Sequence, residues 1–283
     1  MHDSGTLDFL LNRIRELDIQ TRILDVELAL AEPRDLSFLA APAFRGLLGT
    51  MLREREPDLF QRFFKPGAGS HEQSGFAIRM KSVDSVLPVF RIVSFAGSKA
   101  HAYSLASDIA AFMPGMALGE SVIRAVRTAG PFPPASVDPS VFEPLVSASF
   151  SFETPMRIKR HGRIVNHHQF SLAFLASAAV ERLNALSAQF AGGGPPLDPV
   201  PFIAAAALSL QVHRNISTTP WSRLSESSGH KIVMDGCTGS FSYDCLSPAL
   251  AVLLDWAARV NLGRHTVAGA GAFSVRFSKG FDD

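Results

Sequence analysis

Residues 247–277 read SPALAVLLDWAARVNLGRHTVAGAGAFSVRF, and this stretch points most directly to the fold class. Ser247 followed by Pro248 is a helix start: the hydroxyl caps free N–H groups, and proline fits the first turn. The apolar run behind them predicts a helix to about Asn261, stopped at Gly263. Gly263–Phe273 is glycine-rich. Phe273, Val275 and Phe277 then alternate with Ser274 and Arg276, the period of a half-buried strand. Helix, glycine-rich turn and closing strand form the second half of a split βαβ unit.

Upstream, the opening half of that unit is also legible. Ser147–Phe152 alternates as a strand, and Phe170–Phe190 is a long helix, apolar on most of its surface. Gly192–Pro196 breaks it. The apolar stretch 201–213 fits neither period. Lys231–Met234 and Ser240–Tyr243 read as two strands joined around Asp235-Gly236. The first half repeats the order. Arg22–Leu30 puts Leu24, Val26, Leu28 and Leu30 on one side and Asp25 and Glu27 on the other. Pro42–Phe64 predicts one helix, Gly75–Lys81 and Val89–Phe95 two strands, Tyr103–Met113 a helix and Ser121–Arg127 a last strand. The expected fold is therefore α+β, two tandem ferredoxin-like βαββαβ domains. The divisions are a leading helix in 1–21, an N-terminal domain at 22–129, a proline-rich linker at 130–145 and a C-terminal domain at 146–283.

Of the 283 residues 47% are hydrophobic and 19% charged, enough for a large core and too apolar for a disordered chain. Phe is abundant at 22, with Tyr and Trp at 2 each, so most rings are expected as core filling, Phe76, Phe90 and Phe95 among them. A net charge of +1 gives no general basic footprint, but residues 150–283 carry 12 basic and 9 acidic side chains against 15 and 17 before them. Cys237 and Cys245 match no common zinc spacing and are read as small buried or half-buried residues. The charged start lacks the apolar run of a signal peptide, and no stretch is long enough to span a bilayer. The expectation is a cytoplasmic protein with no membrane partner and no cofactor.

Three segments are candidates for chemistry. Gly263–Phe273 includes Gly263, Arg264, Gly269 and Gly271. It can be a tight connection, or a nest of N–H groups that binds an anion. It precedes a strand, so it is no dinucleotide fingerprint, and no Gly-Lys-Ser/Thr follows to make a P-loop. Met156–Arg163 holds Arg157, Lys159, Arg160, His161 and Arg163 with no acid, a loop able to track phosphates or simply a solvated surface. In Pro42–Arg53, Arg45 interrupts an apolar helix face, and two glycines imply close packing. Histidine is the side-chain type that changes charge near neutrality, which makes His161 a candidate; His167 and His168 are read as opening the long helix.

Taken together and in order, these pieces resemble the CRISPR repeat-processing endoribonucleases of the repeat-associated mysterious protein superfamily. The resemblance runs through Phe44-Arg45-Gly46-Leu47-Leu48-Gly49, then Phe152–Lys159 with its Thr154-Pro155. It continues through Trp221–Ser225 with Arg223 and Met234–Phe241, and is strongest over Gly263–Phe273. It implies a cleft between two ferredoxin-like domains that binds a CRISPR repeat stem-loop. It also implies metal-independent cutting, in which the 2′-hydroxyl attacks its own 3′-phosphate and leaves 2′,3′-cyclic phosphate and 5′-hydroxyl ends. The product stays bound and passes to other CRISPR effector subunits. Family members often use a His in the first-half helix. Here residues 33–64 hold no His and no Tyr, and Thr50 stands in that place. Divergent, type IV-like members rely on arginine, which makes Arg45 the first catalytic candidate and His161 the second. The RNA-binding candidates are Arg157, Lys159, Arg160, Arg163, Arg223, Gly263, Arg264, Gly269 and Gly271. The competing reading is a non-catalytic RNA-binding scaffold, which the missing helix His favours.

Overall fold

A computed structural model of the chain describes residues 4–33, 40–64, 75–82, 86–95, 99–136, 138–142, 145–160, 162–224 and 231–279. The first half runs α1 (Ser4–Gln20), β1 (Arg22–Leu30), α2 (Ala40–Arg55), α3 (Pro57–Phe64), β2 (Phe76–Ser82), β3 (Val89–Ser94), α4 (Lys99–Phe112), β4 (Ala117–Leu118) and β5 (Ser121–Phe132). A 3-10 turn at Pro139–Phe142 leads to the second half. There follow β6 (Val146–Met156), β7 (Lys159–Arg160), β8 (Arg163–Ile164), α5 (Leu172–Phe190), α6 (Val200–Leu208), β9 (Leu210–Thr219), β10 (Ser222–Leu224), β11 (Lys231–Val233), β12 (Gly236–Leu246), α7 (Pro248–Val260) and β13 (Phe273–Lys279).

The first sheet has the order β2-β3-β1-β5-β4 and the second β13-β6-β12-β9. Apart from the short β4, each is an antiparallel sheet in which the outer strands of the split unit flank the inner ones, the ferredoxin-like arrangement expected. In β1 the alternation holds residue by residue: Leu24, Val26, Leu28 and Leu30 are buried, against α2 and α4. Phe44 stacks on Phe90 at 4.4 Å, and Phe76 and Phe95 are fully buried, so no ring of the three is open to a base. In the second half Phe150, Phe152, Phe241 and Phe273 face α5 and α7, with Phe150 stacked on Phe241 at 4.7 Å.

The helix caps follow the chemistry of their residues. Ser247 accepts from the Leu250 amide and Ser171 from the Phe174 amide. His167 and His168 therefore lie in the turn before that cap, not within α5, and neither is buried.

Several elements differ from expectation for identifiable reasons. The predicted helix 42–64 is two helices, because Pro57 lacks the N–H that would continue the ladder. Stretch 201–213 fits neither period because it contains both: α6 ends at Leu208 and β9 begins at Leu210. β9 is an edge strand, largely exposed, so it carries no apolar alternation. Lys231–Val233 pairs with Ser222–Leu224 rather than with Ser240–Tyr243, whose strand already begins at Gly236. The proline-rich segment starts later than expected, since β5 continues through Phe132. The leading helix is no free extension. Its Leu10, Leu11, Ile14 and Leu17 join the core of the second half, and Arg13 donates to the Gly193 carbonyl beyond α5.

Candidate nucleic-acid interface

The glycine-rich loop is held by backbone bonds to the segment that ends β6. The Arg264 amide donates to the Arg157 carbonyl (2.8 Å) and the Gly271 amide to the Pro155 carbonyl (3.1 Å). The Leu262 amide donates to the Gly271 carbonyl at 3.0 Å, closing the loop. Buried Thr154 ties it from inside: its hydroxyl donates to the Gly269 carbonyl (2.8 Å) and accepts from the Ala272 amide (2.9 Å). Amides 268, 269 and 270 donate to carbonyls 265, 266 and 265. The loop's N–H groups from 268 to 272 are thus all engaged within the protein, and Gly269 and Gly271 are buried. They shape the loop rather than present an open anion nest.

The need for glycine is geometric. Gly271 has φ +71°, and a Cβ there would lie 1.7 Å from the Leu262 carbonyl oxygen. Gly269, at φ +83°, sits so close to Ala41 of α2 that a Cβ would lie 2.4 Å from that methyl. The second contact crosses from one half of the molecule to the other.

Ala41 and Arg45 are four residues apart on α2 and share a face. Arg45 therefore stands one turn along the helix from the glycine loop. Its guanidinium lies over the Phe64 ring at 4.7 Å, and the same ring fills the space a Cβ on Gly49 would need. The helix glycine and the arginine thus share one partner.

The basic segment is not a loop but a hairpin. β7 and β8 pair Lys159 with Ile164 and Arg160 with Arg163, around Gly162 at φ +80°. Lys159, Arg160 and Arg163 are exposed, and two arginines sit directly opposite each other, an arrangement that repels unless an anion joins them. Arg160 is braced over Phe174 at 4.8 Å. Arg157 is half-buried and donates to the Asp235 carbonyl at 3.0 Å, so it holds the hairpin's base as well as adding charge. Arg264 is exposed beside that base; Gly263 is half-buried. His161 lies outside the described residues. Arg223 lies in β10, across from Ile232.

Trp221 and Met234, which flank β10 and β11, close over the loop from a third side. They pack against Ala268 and Ala270, and the Asp235 carboxylate accepts from the Trp221 amide at 2.8 Å. α2, the basic segment and the residues flanking β10 and β11 therefore meet at the glycine loop. Several residues that hold it there were not singled out: Thr154 for its hydroxyl, Asn261, Arg182, and the Arg79–Glu153 pair. An Asn just past a helix end is a cap signal, and Asn261 has φ +56°; the others give no local signal. Arg182 reaches Thr266 of the loop (3.5 Å) and stacks over Phe95 (5.5 Å). Burial pulls its pKa down to about 10, which leaves it charged at neutral pH. Among the described residues no three His, Cys, Asp or Glu side chains gather as metal ligands, and no helix is long and apolar enough to cross a membrane.

Residues 150–273 match the model of the CRISPR-associated endoribonuclease Cas6 family. No curated protein matches by sequence. Among solved structures, a Cas6 product complex superposes with a TM-score of 0.61 at 19% identity, over 91% of this chain and 100% of that one. Thermus thermophilus Cas6 gives 0.54 at 16%, over 91% and 98%. A partial Cas6-RT-Cas1–Cas2 complex gives 0.58 at 12%, over 93% of this chain and 47% of that one. The resemblance read from the sequence stands: the chain has the Cas6 fold over nine-tenths of its length, and residues 150–273 carry the Cas6 family's sequence pattern.

Proposed function

We propose that the protein binds the repeat of a precursor CRISPR RNA and cuts it once without a metal ion. The reading rests on one observation above the others: the glycine loop brings the basic hairpin of the second half and the Arg45 face of α2 to one place. Binding is assigned to Lys159, Arg160, Arg163 and Arg264, with Arg157 at the hairpin base and Arg223 on the strand pair over the loop. Gly263, Gly269 and Gly271 serve by shape.

The chemistry is internal transfer. The 2′-oxygen forms a bond to the adjacent phosphorus, the bond to the 5′-oxygen breaks, and the proton lost from the first is balanced by one gained at the second. A cation beside the phosphate stabilises the charge that builds on its free oxygens. Arg45 is suited to that role and not to proton removal, since guanidinium stays protonated. His161, next to Arg160 in sequence, is the proposed imidazole. The cut RNA stays bound and is handed to other CRISPR effector subunits.

A second reading has its own observation. α2 and α3 hold no His and no Tyr, so these two helices offer no imidazole or phenol as a base, as in a scaffold that binds without cutting. Incubating the protein in EDTA with the repeat RNA of its own locus separates the two. A single cut with a cyclic-phosphate end supports the nuclease. A stable complex with intact RNA supports the scaffold, and absence of binding removes both.

A further inference from the structure

A site assembled from two halves depends on what fixes one half against the other. β2 belongs to the first sheet, yet its backbone and side chains are tied to the second half at three points. The Asn261 side-chain amide (Nδ2) donates to the Ile78 carbonyl at 2.8 Å, and both atoms are buried. Arg79 donates to the Ala258 carbonyl in the last turn of α7 at 3.0 Å. The Arg79 guanidinium also forks onto both carboxylate oxygens of Glu153, with Nε to Oε2 at 2.8 Å.

The partners are neighbours of the site in sequence. Asn261 caps α7 in left-handed backbone and opens directly into Leu262-Gly263 of the glycine loop. Glu153 precedes Thr154, whose hydroxyl holds Gly269 and Ala272, and the Glu153 amide itself donates to the Ala272 carbonyl at 2.9 Å. Two of the ties from β2 thus reach a residue at one end of the loop, Asn261 or Glu153, and the third reaches Ala258 in the last turn of α7.

We infer that Arg79, Glu153 and Asn261 form a strut that positions the glycine loop, and the hairpin bound to it, against α2. They are positioning residues. This rests on the proposed function, because what is positioned is Arg45 relative to RNA held by the hairpin. Two features distinguish the strut from general core packing. The groups are polar and directional, and Arg79 and Glu153 keep side-chain exposures of 21% and 33%, so replacing them opens no large cavity. Deleting the strut should leave RNA affinity, carried by the hairpin, nearly intact and lower the rate of the bond-breaking step.

The test uses the full chain with Arg79→Met, Glu153→Gln and Asn261→Gly. Glycine keeps the left-handed backbone at residue 261 and removes only the tie. Arg79→Lys is the conservative control, retaining the charge toward Glu153. Two readouts are taken on each protein: affinity and single-turnover cleavage of the repeat RNA, and the distance distribution between nitroxides placed on exposed Glu54 of α2 and Ser278 of β13. The expected result is a broader distribution and a cleavage rate at least tenfold lower, with affinity changed by less than threefold and Arg79→Lys between wild type and Arg79→Met. An unchanged distribution overturns the strut, whatever the rates. A broadened distribution with an unchanged rate overturns the positioning role. If wild type neither binds nor cuts the RNA, the functional reading fails, and the distance measurement alone decides the strut.

Discussion

At the scale of single residues, Arg45 and Gly271 do opposite jobs, and substitution should separate them. In the proposed reaction Arg45 meets charge that exists only as the phosphate reacts. Arg45→Ala is expected to slow single-turnover cleavage about 100-fold, the usual loss for one such cation or donor, while RNA affinity changes far less. An unchanged rate removes Arg45 from the mechanism. Gly271 instead serves the fold. Gly271→Ala forces a side chain into left-handed backbone and onto the Leu262 carbonyl, a loss of more than about 2 kcal/mol by thermal or urea unfolding. Gly162→Ala shares the positive φ, but nothing lies within 4 Å of its Cβ, so it should cost only about 1 kcal/mol. Equal destabilisation at the two glycines would contradict the packing role assigned to Gly271. The sequence shows that glycines gather at 263–271, but whether they bind an anion or admit a backbone depends on Ala41 and Leu262. No spacing rule places those two atoms.

At the scale of elements, the β7–β8 hairpin exposes Lys159, Arg160 and Arg163 to solvent. Charge reversal at Lys159 and Arg163 should weaken RNA binding and flatten its salt dependence by up to about one log–log unit for each phosphate that is no longer neutralised. Titrations at several salt concentrations read both effects; unchanged affinity at low salt excludes the hairpin as the RNA-binding element. That this segment is basic is plain from Met156–Arg163. That it is a hairpin is not, because two-residue strands leave too little alternation to detect. The same limit hides β9. Its side chains mostly face water, and burial is what writes a period into sequence. The elements that bury a face, such as β1, α5 and α7, are legible almost to the residue. Ser247 even marks where α7 begins.

At the scale of the whole molecule, α1 joins the N-terminal end of the chain to the second core. Near its end Asp18 comes close to Arg259 of α7, which also pairs with Asp255 at 3.3 Å and donates to the Ala135 carbonyl before the second half. Burial pushes the Asp18 carboxyl up to about 6, against the attraction of Arg259. Its folded pKa lies above the unfolded value, so its contribution to stability is full below about pH 4 and is lost as pH rises through 6. Asp18→Asn keeps a neutral side chain at every pH. It is expected to raise the unfolding free energy at pH 7 by on the order of 1 kcal/mol and to change it little at pH 4. A variant less stable than wild type at pH 7 contradicts the assignment. None of this is visible in the sequence, where residues 18 and 259 are simply charges on two helices. The order βαββαβ, by contrast, needs only local pattern, which is why the tandem fold could be read and the docking of α1 could not.

In the proposed reaction the two halves together hold a repeat RNA whose own 2′-hydroxyl breaks the chain. Once the cut site is mapped, the most direct measurement uses that RNA with a single 2′-deoxy nucleotide on the 5′ side of the cut, in EDTA. Wild-type affinity and no cleavage are expected. Cleavage of the deoxy substrate at the normal rate would contradict the proposed reaction, because the attacking oxygen would then have to come from elsewhere.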